Sequence, residues 1–190
     1  YNAAPGGDTA GRPGTFRGRS PMPPPAGPAA PPLADFRRDL TRSRMVPKPR
    51  ADGLFAAAPA ARRADAAAFA GFLVQMGELT RYQADKLLGG HWKGLALGPY
   101  RVLCPIGRGG MGLVYLARVV DSPPPPPTTV GQLVALKLLP PANAESKTRD
   151  RFLREIAIGR RLPPHPALTR TLAAGEQGGV MHLTMEYVPG

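Results

Sequence analysis

The sequence predicts an α+β fold: an antiparallel five-stranded sheet with one helix, preceded by a short helical hairpin and a disordered tail rich in Pro, Ala and Arg. Three observations support this prediction. From residue 98 onward, apolar stretches rich in β-branched residues alternate with turn signals, which is typical of strands. A charged pattern with helical period over residues 145–162 predicts one helix after the third strand. Before residue 66, Pro and Gly are frequent and almost no apolar period is visible.

The charge of the chain is high but diffuse. The 190 residues carry a formal net charge of +12, divided equally between residues 1–66 and the remainder, so the basic residues do not cluster along the sequence. We therefore expect no nucleic-acid partner. No apolar run reaches the roughly 18 residues of a transmembrane helix, so we expect no membrane segment in this stretch. The single cysteine, Cys104, excludes an intrachain disulfide and favours a reducing compartment, and we expect a cytoplasmic protein.

Residues 1–65 are interpreted as a disordered tail, because they mix Pro, Gly, Ala and Arg without a helical or strand period. The alternative is a basic, proline-rich docking arm, since several arginines are spread along the same segment. The chain begins with Tyr1 and its last residues close no recognisable element, so we expect it to be a fragment.

The sequence pattern of residues 66–97 predicts a helical hairpin. Phe69, Phe72, Leu73 and Met76 have the spacing of one helical face. Thr80 to Gln83 has the pattern of a capping box, which predicts the start of a second helix. The apolar stripe is too small to form a core alone, so we expect the hairpin to pack against another surface. A docking element and a structural lead-in to the following domain are both compatible with this pattern.

Residues 106–115 contain a glycine-rich turn between two predicted strands, 100–106 and 113–120. Four of the six residues from Gly107 to Gly112 are glycine, which lets backbone N–H groups approach an anion such as a phosphate closely. A purely structural turn is one alternative. A dinucleotide-binding fingerprint requires a helix after the glycines, whereas a strand is predicted there. A P-loop requires Lys and Ser or Thr where this sequence has Leu113 and Val114.

Several ordered motifs resemble those of protein kinases. Gly107, Gly109, Gly112 and Val114 match the pattern G-x-G-x-x-G-x-V, and residues 134–137 stand where kinases have V-A-I-K. The predicted helix after this strand carries a glutamate 18 residues after the lysine, residues 164–168 resemble the turn that follows that helix, and residues 185–190 resemble the hinge. Residues from about 100 to 190 therefore resemble the small lobe of a eukaryotic-like bacterial serine/threonine protein kinase. Residues 77–100 also resemble the lead-in of planctomycete kinases of this class.

The resemblance implies a protein-kinase-like small lobe that binds ATP. The glycine-rich turn would cover the triphosphate, Lys137 would hold its α and β phosphates, and Glu155 would form an ion pair with Lys137. Val114 and Ala135 would cover the adenine, Met185 would be the gatekeeper, and backbone groups of residues 186–188 would bind the adenine edge. The residues implied to bind ATP are Ile106, Gly107, Arg108, Gly109, Gly110, Met111, Gly112, Val114, Ala135, Lys137, Met185, Glu186 and Val188.

The catalytic-loop motif H-R-D and the metal-binding motif D-F-G, which belong to the large lobe of kinases, are not found in the sequence. We therefore expect no catalytic base and no metal ligand here. Mg²⁺ is expected to bind only together with a large lobe. This chain alone is expected not to transfer phosphate. The expected partners are ATP and protein substrates, with possible docking through the helical hairpin. The alternative is a non-catalytic scaffold or pseudokinase-like binding module, although such a protein needs neither Lys137 nor Glu155.

Overall fold

A helical unit precedes a curled sheet in the computed structural model, which describes residues 30–109, 112–120, 126–139 and 146–189. The helical unit is defined here as residues 33–95. The helices are α1 (Leu33–Arg42), α2 (Lys48–Ala57), a 3-10 turn (Ala60–Arg63), α3 (Ala66–Gln75), α4 (Arg81–Leu88) and α5 (Ser146–Arg161). The strands are β1 (Ala96–Leu97), β2 (Tyr100–Gly109), β3 (Gly112–Val119), β4 (Leu133–Leu139), β5 (Thr171–Gln177) and β6 (Val180–Glu186).

The structure corrects the prediction of a disordered tail over residues 33–57, which form α1 and α2. Both helices begin directly after a proline, Pro32 and Pro47, which take the N-cap position. The prolines were interpreted as signs of disorder, but proline near a helix start costs no backbone hydrogen bond. α1 carries an apolar period, with Leu33, Phe36 and Leu40 on one face, which was overlooked among the surrounding prolines, whereas α2 shows no clear period. Residues 58–65, also assigned to the tail, are described and contain the 3-10 turn Ala60–Arg63, whereas residues 1–29 lie outside the described residues.

The helical unit has its own apolar core, in which Phe69 of α3 is fully buried. The ring of Phe69 meets Phe36 of α1 and Phe55 of α2 edge to face, with ring centroids 6.2 Å and 5.1 Å away. The hairpin predicted over residues 66–97 is α3 and α4, and α1 and α2 of the same chain cover its apolar stripe except at Met76, which is 50% exposed. Removing the aromatic centre of such a core costs about 3–5 kcal/mol.

In the described part of the chain, the sheet has six antiparallel strands in the order β1-β2-β3-β4-β6-β5. This confirms the predicted α+β class with an antiparallel sheet and one associated helix, but adds a strand to the five that were predicted. The extra strand, β1, is formed because the chain reverses at Gly98, where φ is +52°, so that Leu97 pairs with Tyr100. The fourth predicted strand is also displaced: residues 168–174 were expected, and β5 spans Thr171–Gln177.

The two faces of the sheet are covered differently. On one face, Phe152 and Ile156 of α5 pack on Leu139, Met181 and Leu183. On the opposite face, β2, β3 and β4 form a second cluster of buried apolar residues, and Tyr82 of α4 contacts this cluster. The sheet therefore lies between α5 and the end of the helical unit. Of the described helices, none combines the length and the apolar character that crossing a bilayer requires.

His182 of β6 is half-buried beside Tyr100, and we expect its protonation to make the stability of the sheet depend on pH. Its ring lies 5.7 Å from that of Tyr100, and its Nδ1 is buried and has no hydrogen-bond partner among the described residues. Burial lowers the pKa of His182 below its usual value of about 6.5. Protonation then occurs first in the unfolded chain, so the stabilisation is complete above about pH 6.5 and is lost as the pH falls through the native pKa.

We expect the free energy of unfolding, measured with urea, to decrease between pH 7 and pH 5, and His182→Phe to reduce this decrease. His91→Gln, which changes an exposed histidine, is the control and should leave the decrease unchanged. An equal pH dependence in the wild type and in His182→Phe would show that His182 is not the responsible group.

Candidate functional site

The register of the strands places several of the predicted site residues on one face of the sheet. Val114 of β3 lies directly opposite Lys137 of β4, and Leu183 of β6 lies opposite Lys137 on the other side. Ala135 lies two residues before Lys137 on the same face of β4, and it is paired with Met185 of β6. Because directly paired residues of antiparallel strands share a face, these five side chains form one continuous surface, called the site face below.

Lys137 is the charged centre of the site face. Its side chain is only 11% exposed, and its Nζ donates hydrogen bonds to both carboxylate oxygens of Glu155, at 2.8 Å and 2.6 Å. Removing an ammonium group from water is unfavourable unless it is paired and hydrogen-bonded, so Glu155 compensates this burial. The side chain of Glu155 is 32% exposed, which leaves part of the carboxylate accessible to solvent.

The position of Glu155 follows from the way α5 packs. Phe152 and Ile156 are buried against the sheet and flank Glu155 along the helix. Residues three apart in a helix lie on the same side, so burying Phe152 also turns Glu155 toward the sheet. The glutamate predicted from the sequence therefore reaches Lys137 because the apolar residues around it fix the rotation of α5.

The glycine-rich turn joins β2 and β3, which stay paired as far as Gly109 and Gly112. Residues 105–109 are all exposed, and Ile106 is 44% exposed, so this end of the hairpin projects from the sheet. Gly112 has φ +150°, and a Cβ atom there would collide with the backbone carbonyl of Leu138. The last glycine is thus required by the close approach of β4. Gly110 and Met111, both predicted to bind ATP, lie outside the described residues.

The predicted hinge begins with Met185 and Glu186, the last two residues of β6, and continues beyond the strand. Met185 is partly buried, whereas Glu186 and Val188 are exposed, Val188 at 66%. The backbone N–H of Glu186 donates to the carbonyl of Arg170 at 2.9 Å. That N–H group is therefore engaged, so the backbone groups of Val188 are more accessible to a base than the Glu186 amide is.

An open cavity of about 490 Å³ lies between α5 and the site face. Leu183 and Met185 contribute to its walls from the sheet, and Ile158 and Leu162 contribute from α5 and just beyond it. Lys137 and Glu155 also border this cavity, which extends toward β5. Val114 and the glycine-rich turn lie beyond Lys137 in the other direction, so the ion pair stands between the cavity and the turn.

Leu183 was not predicted as a site residue, although it is buried directly beside Lys137. Its signal was present in the sequence, because Met181, Leu183 and Met185 alternate with polar residues and so share one face of a strand. Arg108 was predicted to contribute through its backbone, and it lies exposed on the projecting hairpin opposite Leu113. Among the described residues, no group of three or more His, Cys, Asp or Glu side chains could hold a metal ion.

Comparison with known proteins relates about half of the chain to bacterial kinases. The chain is 38% identical over 94 residues to the serine/threonine-protein kinase pkn2 of Myxococcus xanthus, covering 49% of this chain and 10% of that protein. The crystal structure of the Mycobacterium tuberculosis PknI kinase domain is 34% identical and matches 51% of this chain and 36% of that domain, with a TM-score of 0.38. A double mutant of the same domain gives a TM-score of 0.37.

No protein-family model matches the chain. The sequence identity to pkn2 nevertheless supports homology of about half of the chain to the serine/threonine kinases of bacteria. The chain spans only a tenth of the length of that curated relative and about a third of the solved kinase domains.

We expect Gly112→Ala to destabilise the hairpin by roughly 1–3 kcal/mol, because the new methyl group meets the Leu138 carbonyl and the backbone stays at an unfavourable φ. The free energy of unfolding in urea measures this change. Gly109→Ala is the matched control, since a Cβ atom there meets nothing within 4 Å. It should change stability by no more than about 0.5 kcal/mol. Equal effects of the two substitutions would contradict the role assigned to Gly112.

Proposed function

We propose that this chain forms the ATP-binding lobe of a eukaryotic-like serine/threonine protein kinase, which transfers the γ-phosphate of ATP to Ser or Thr of protein substrates. The observation that carries the proposal is the ion pair between the buried Lys137 and the partly exposed Glu155, beside the glycine-rich turn and on the same face as Val114. The identity to the Myxococcus kinase supports the same reaction class.

The geometry of the ion pair fits a phosphate-binding lysine. An ammonium group has three donors, and Glu155 accepts hydrogen bonds from Nζ at two carboxylate oxygens. Donor capacity therefore remains for a phosphate oxygen, while Glu155 holds the side chain in place. Phosphoryl transfer depends mainly on positioning and electrostatic stabilisation, so a fixed cation near a glycine-rich turn is the contribution expected of this lobe.

The remaining site residues fit the other parts of ATP. The projecting hairpin would cover the triphosphate through backbone N–H groups, as glycine allows the closest approach to an anion. Val114 and Ala135 would contact the adenine on the site face, with Met185 at its inner end and Val188 at its edge. ATP supplies the phosphoryl group, and this lobe binds and orients it.

The catalytic base and the ligands of Mg²⁺ require the H-R-D and D-F-G motifs, which the 190 residues do not contain. We propose phosphate transfer only for a protein in which this lobe is combined with those motifs. The chain alone should bind the nucleotide and be inactive as a kinase.

A non-catalytic binding module is the alternative function. A scaffold gains nothing from a buried lysine, because replacing a buried ion pair by apolar residues is often neutral or stabilising. The side chain of Lys137 is nevertheless only 11% exposed, and α5 supplies its carboxylate partner, Glu155. This arrangement favours nucleotide binding over a purely structural role.

We expect Lys137→Met to weaken ATP binding by at least about tenfold, because a charge-assisted hydrogen bond to phosphate is worth roughly 1.5–3 kcal/mol. Binding of a fluorescent ATP analogue to the 190-residue chain measures this. The fold should persist, since the partly exposed Glu155 carboxylate can be hydrated. In a protein that also contains the catalytic motifs, the same substitution should abolish phosphorylation of a protein substrate.

Lys147→Met is the matched control, because Lys147 is an exposed lysine at the start of α5. It should leave the affinity within about twofold of wild type, as surface substitutions usually have small effects. Wild-type affinity in Lys137→Met would refute the assignment of the site. Wild-type kinase activity of Lys137→Met in the longer protein would favour a different phosphate-binding group.

A further inference from the structure

The first turn of α4 holds the strand that leads into the glycine-rich turn. The hydroxyl of Thr80 donates to the carbonyl of Leu103 at 2.6 Å, and Nε2 of Gln83 donates to the carbonyl of Val102 at 2.6 Å. Both acceptors lie in β2, four and five residues before Gly107. Gln83 is 2% exposed, so its hydrogen bond lies in the buried junction between the helical unit and the sheet.

These bonds are made by groups that already cap the helix. Thr80 accepts from the backbone N–H of Gln83 at 3.2 Å, and Gln83 Oε1 accepts from the backbone N–H of Thr80 at 2.8 Å. A capping box needs only these two bonds. The hydroxyl hydrogen of Thr80 and the amide hydrogens of Gln83 are additional donors, and both side chains direct one to β2. The capping box therefore joins two parts of the chain.

The point of attachment is an irregularity in β2. Val102 pairs with Ala117 of β3 and Cys104 pairs with Leu116, so Leu103 has no residue opposite it. Such a β-bulge bends its strand and changes the direction in which the following residues run. The two carbonyls bound by α4 are those at and just before this bulge. Hydrogen bonds from α4 thus fix the bend that comes before the glycine-rich turn.

The same helical turn also contacts the returning strand. The ring of Tyr82 lies 6.2 Å from that of Tyr115 in β3, three residues after Gly112. Burial raises the pKa of Tyr82 to about 12, and the neighbouring Tyr115 adds to this shift. Residues 80–83 therefore contact both arms of the hairpin that carries the glycines.

We propose that Thr80 and Gln83 are positioning residues for the glycine-rich turn, through which the helical unit sets the affinity of the lobe for nucleotide. This inference rests on the proposed function for its consequence, but the contacts themselves involve only this chain. The helical unit then acts as a fixed support of the nucleotide site, and losing its two hydrogen bonds to β2 loosens the hairpin without unfolding the sheet.

The first test removes the donor of Gln83 and keeps its shape. In Gln83→Glu the carboxylate can still accept from Thr80 within the capping box, but when ionised it cannot donate to the Val102 carbonyl. We expect amide hydrogen exchange in the hairpin arms, residues 104–108 and 113–116, to be about five- to tenfold faster. This factor corresponds to the free energy of one lost buried hydrogen bond. Affinity for the ATP analogue should fall by a similar factor.

The matched control is Gln75→Glu, the same change at an exposed residue of α3. It should leave hairpin exchange and nucleotide affinity within about twofold of wild type. Wild-type exchange of the hairpin arms in Gln83→Glu, measured at a pH high enough to ionise the new carboxyl group, would overturn the proposal.

A second pair of variants addresses the case in which Gln83→Glu does not fold. Thr80→Val removes the hydroxyl and keeps the shape, and Thr80→Ser restores the hydroxyl. We expect Thr80→Val to speed exchange in the hairpin arms and to weaken nucleotide binding, and Thr80→Ser to behave as the wild type. Equal behaviour of the two variants would overturn the proposal.

Leu73→Ala separates positioning from general stability, because Leu73 is buried in the core of the helical unit and does not belong to the capping box. It should lower the overall stability while changing hairpin exchange less than Thr80→Val does. Leu73→Ala and Thr80→Val are compared at an equal loss of stability. If Leu73→Ala then speeds amide exchange in the hairpin arms as much as Thr80→Val does, the role of Thr80 and Gln83 is merely structural and the proposal fails. If the wild-type chain binds no ATP, the proposed function fails, while hairpin exchange still decides the positioning role.

Discussion

The buried ion pair between Lys137 and Glu155 is the constraint on which the described site depends. A lysine with so little exposure requires a carboxylate partner, and that partner comes from α5, 18 residues later in the chain. The helix can supply it only in one rotation, with Phe152 and Ile156 against the sheet. Apolar packing and charge pairing therefore specify the same arrangement of α5, strand β4 and strand β6.

The opposite side of the sheet is organised by a different kind of contact. There the helical unit brings its own apolar core and joins β2 through two hydrogen bonds from the cap of α4. The sheet is consequently supported from both faces, by α5 near the ion pair and by α4 near the bulge at Leu103. Residues 105–109, which lead into the glycine-rich turn, are exposed beyond both supports.

Errors in the sequence-based description came from short segments. Residues 33–57 were expected to be disordered because they belong to a longer segment that mixes Pro, Gly, Ala and Arg, yet they form two helices. The apolar residues of these helices are few, and their burial depends on Phe69 and other residues further along the chain. Strand β1 was missed for a related reason, since two residues carry no period and are defined only by their partner strand.

The sequence by itself determined the residue types of the candidate site and their order along the chain. The glycines, Lys137 and Glu155 could be identified because their order and separation resemble the motifs of protein kinases. Only the tertiary structure decided which of them meet. The register of β3, β4 and β6 places Val114, Lys137 and Leu183 side by side, and pairing between strands is not encoded in any local period. The attachment of α4 to β2 was equally beyond the sequence, because a capping box has the same pattern whether or not its spare donors find a second strand.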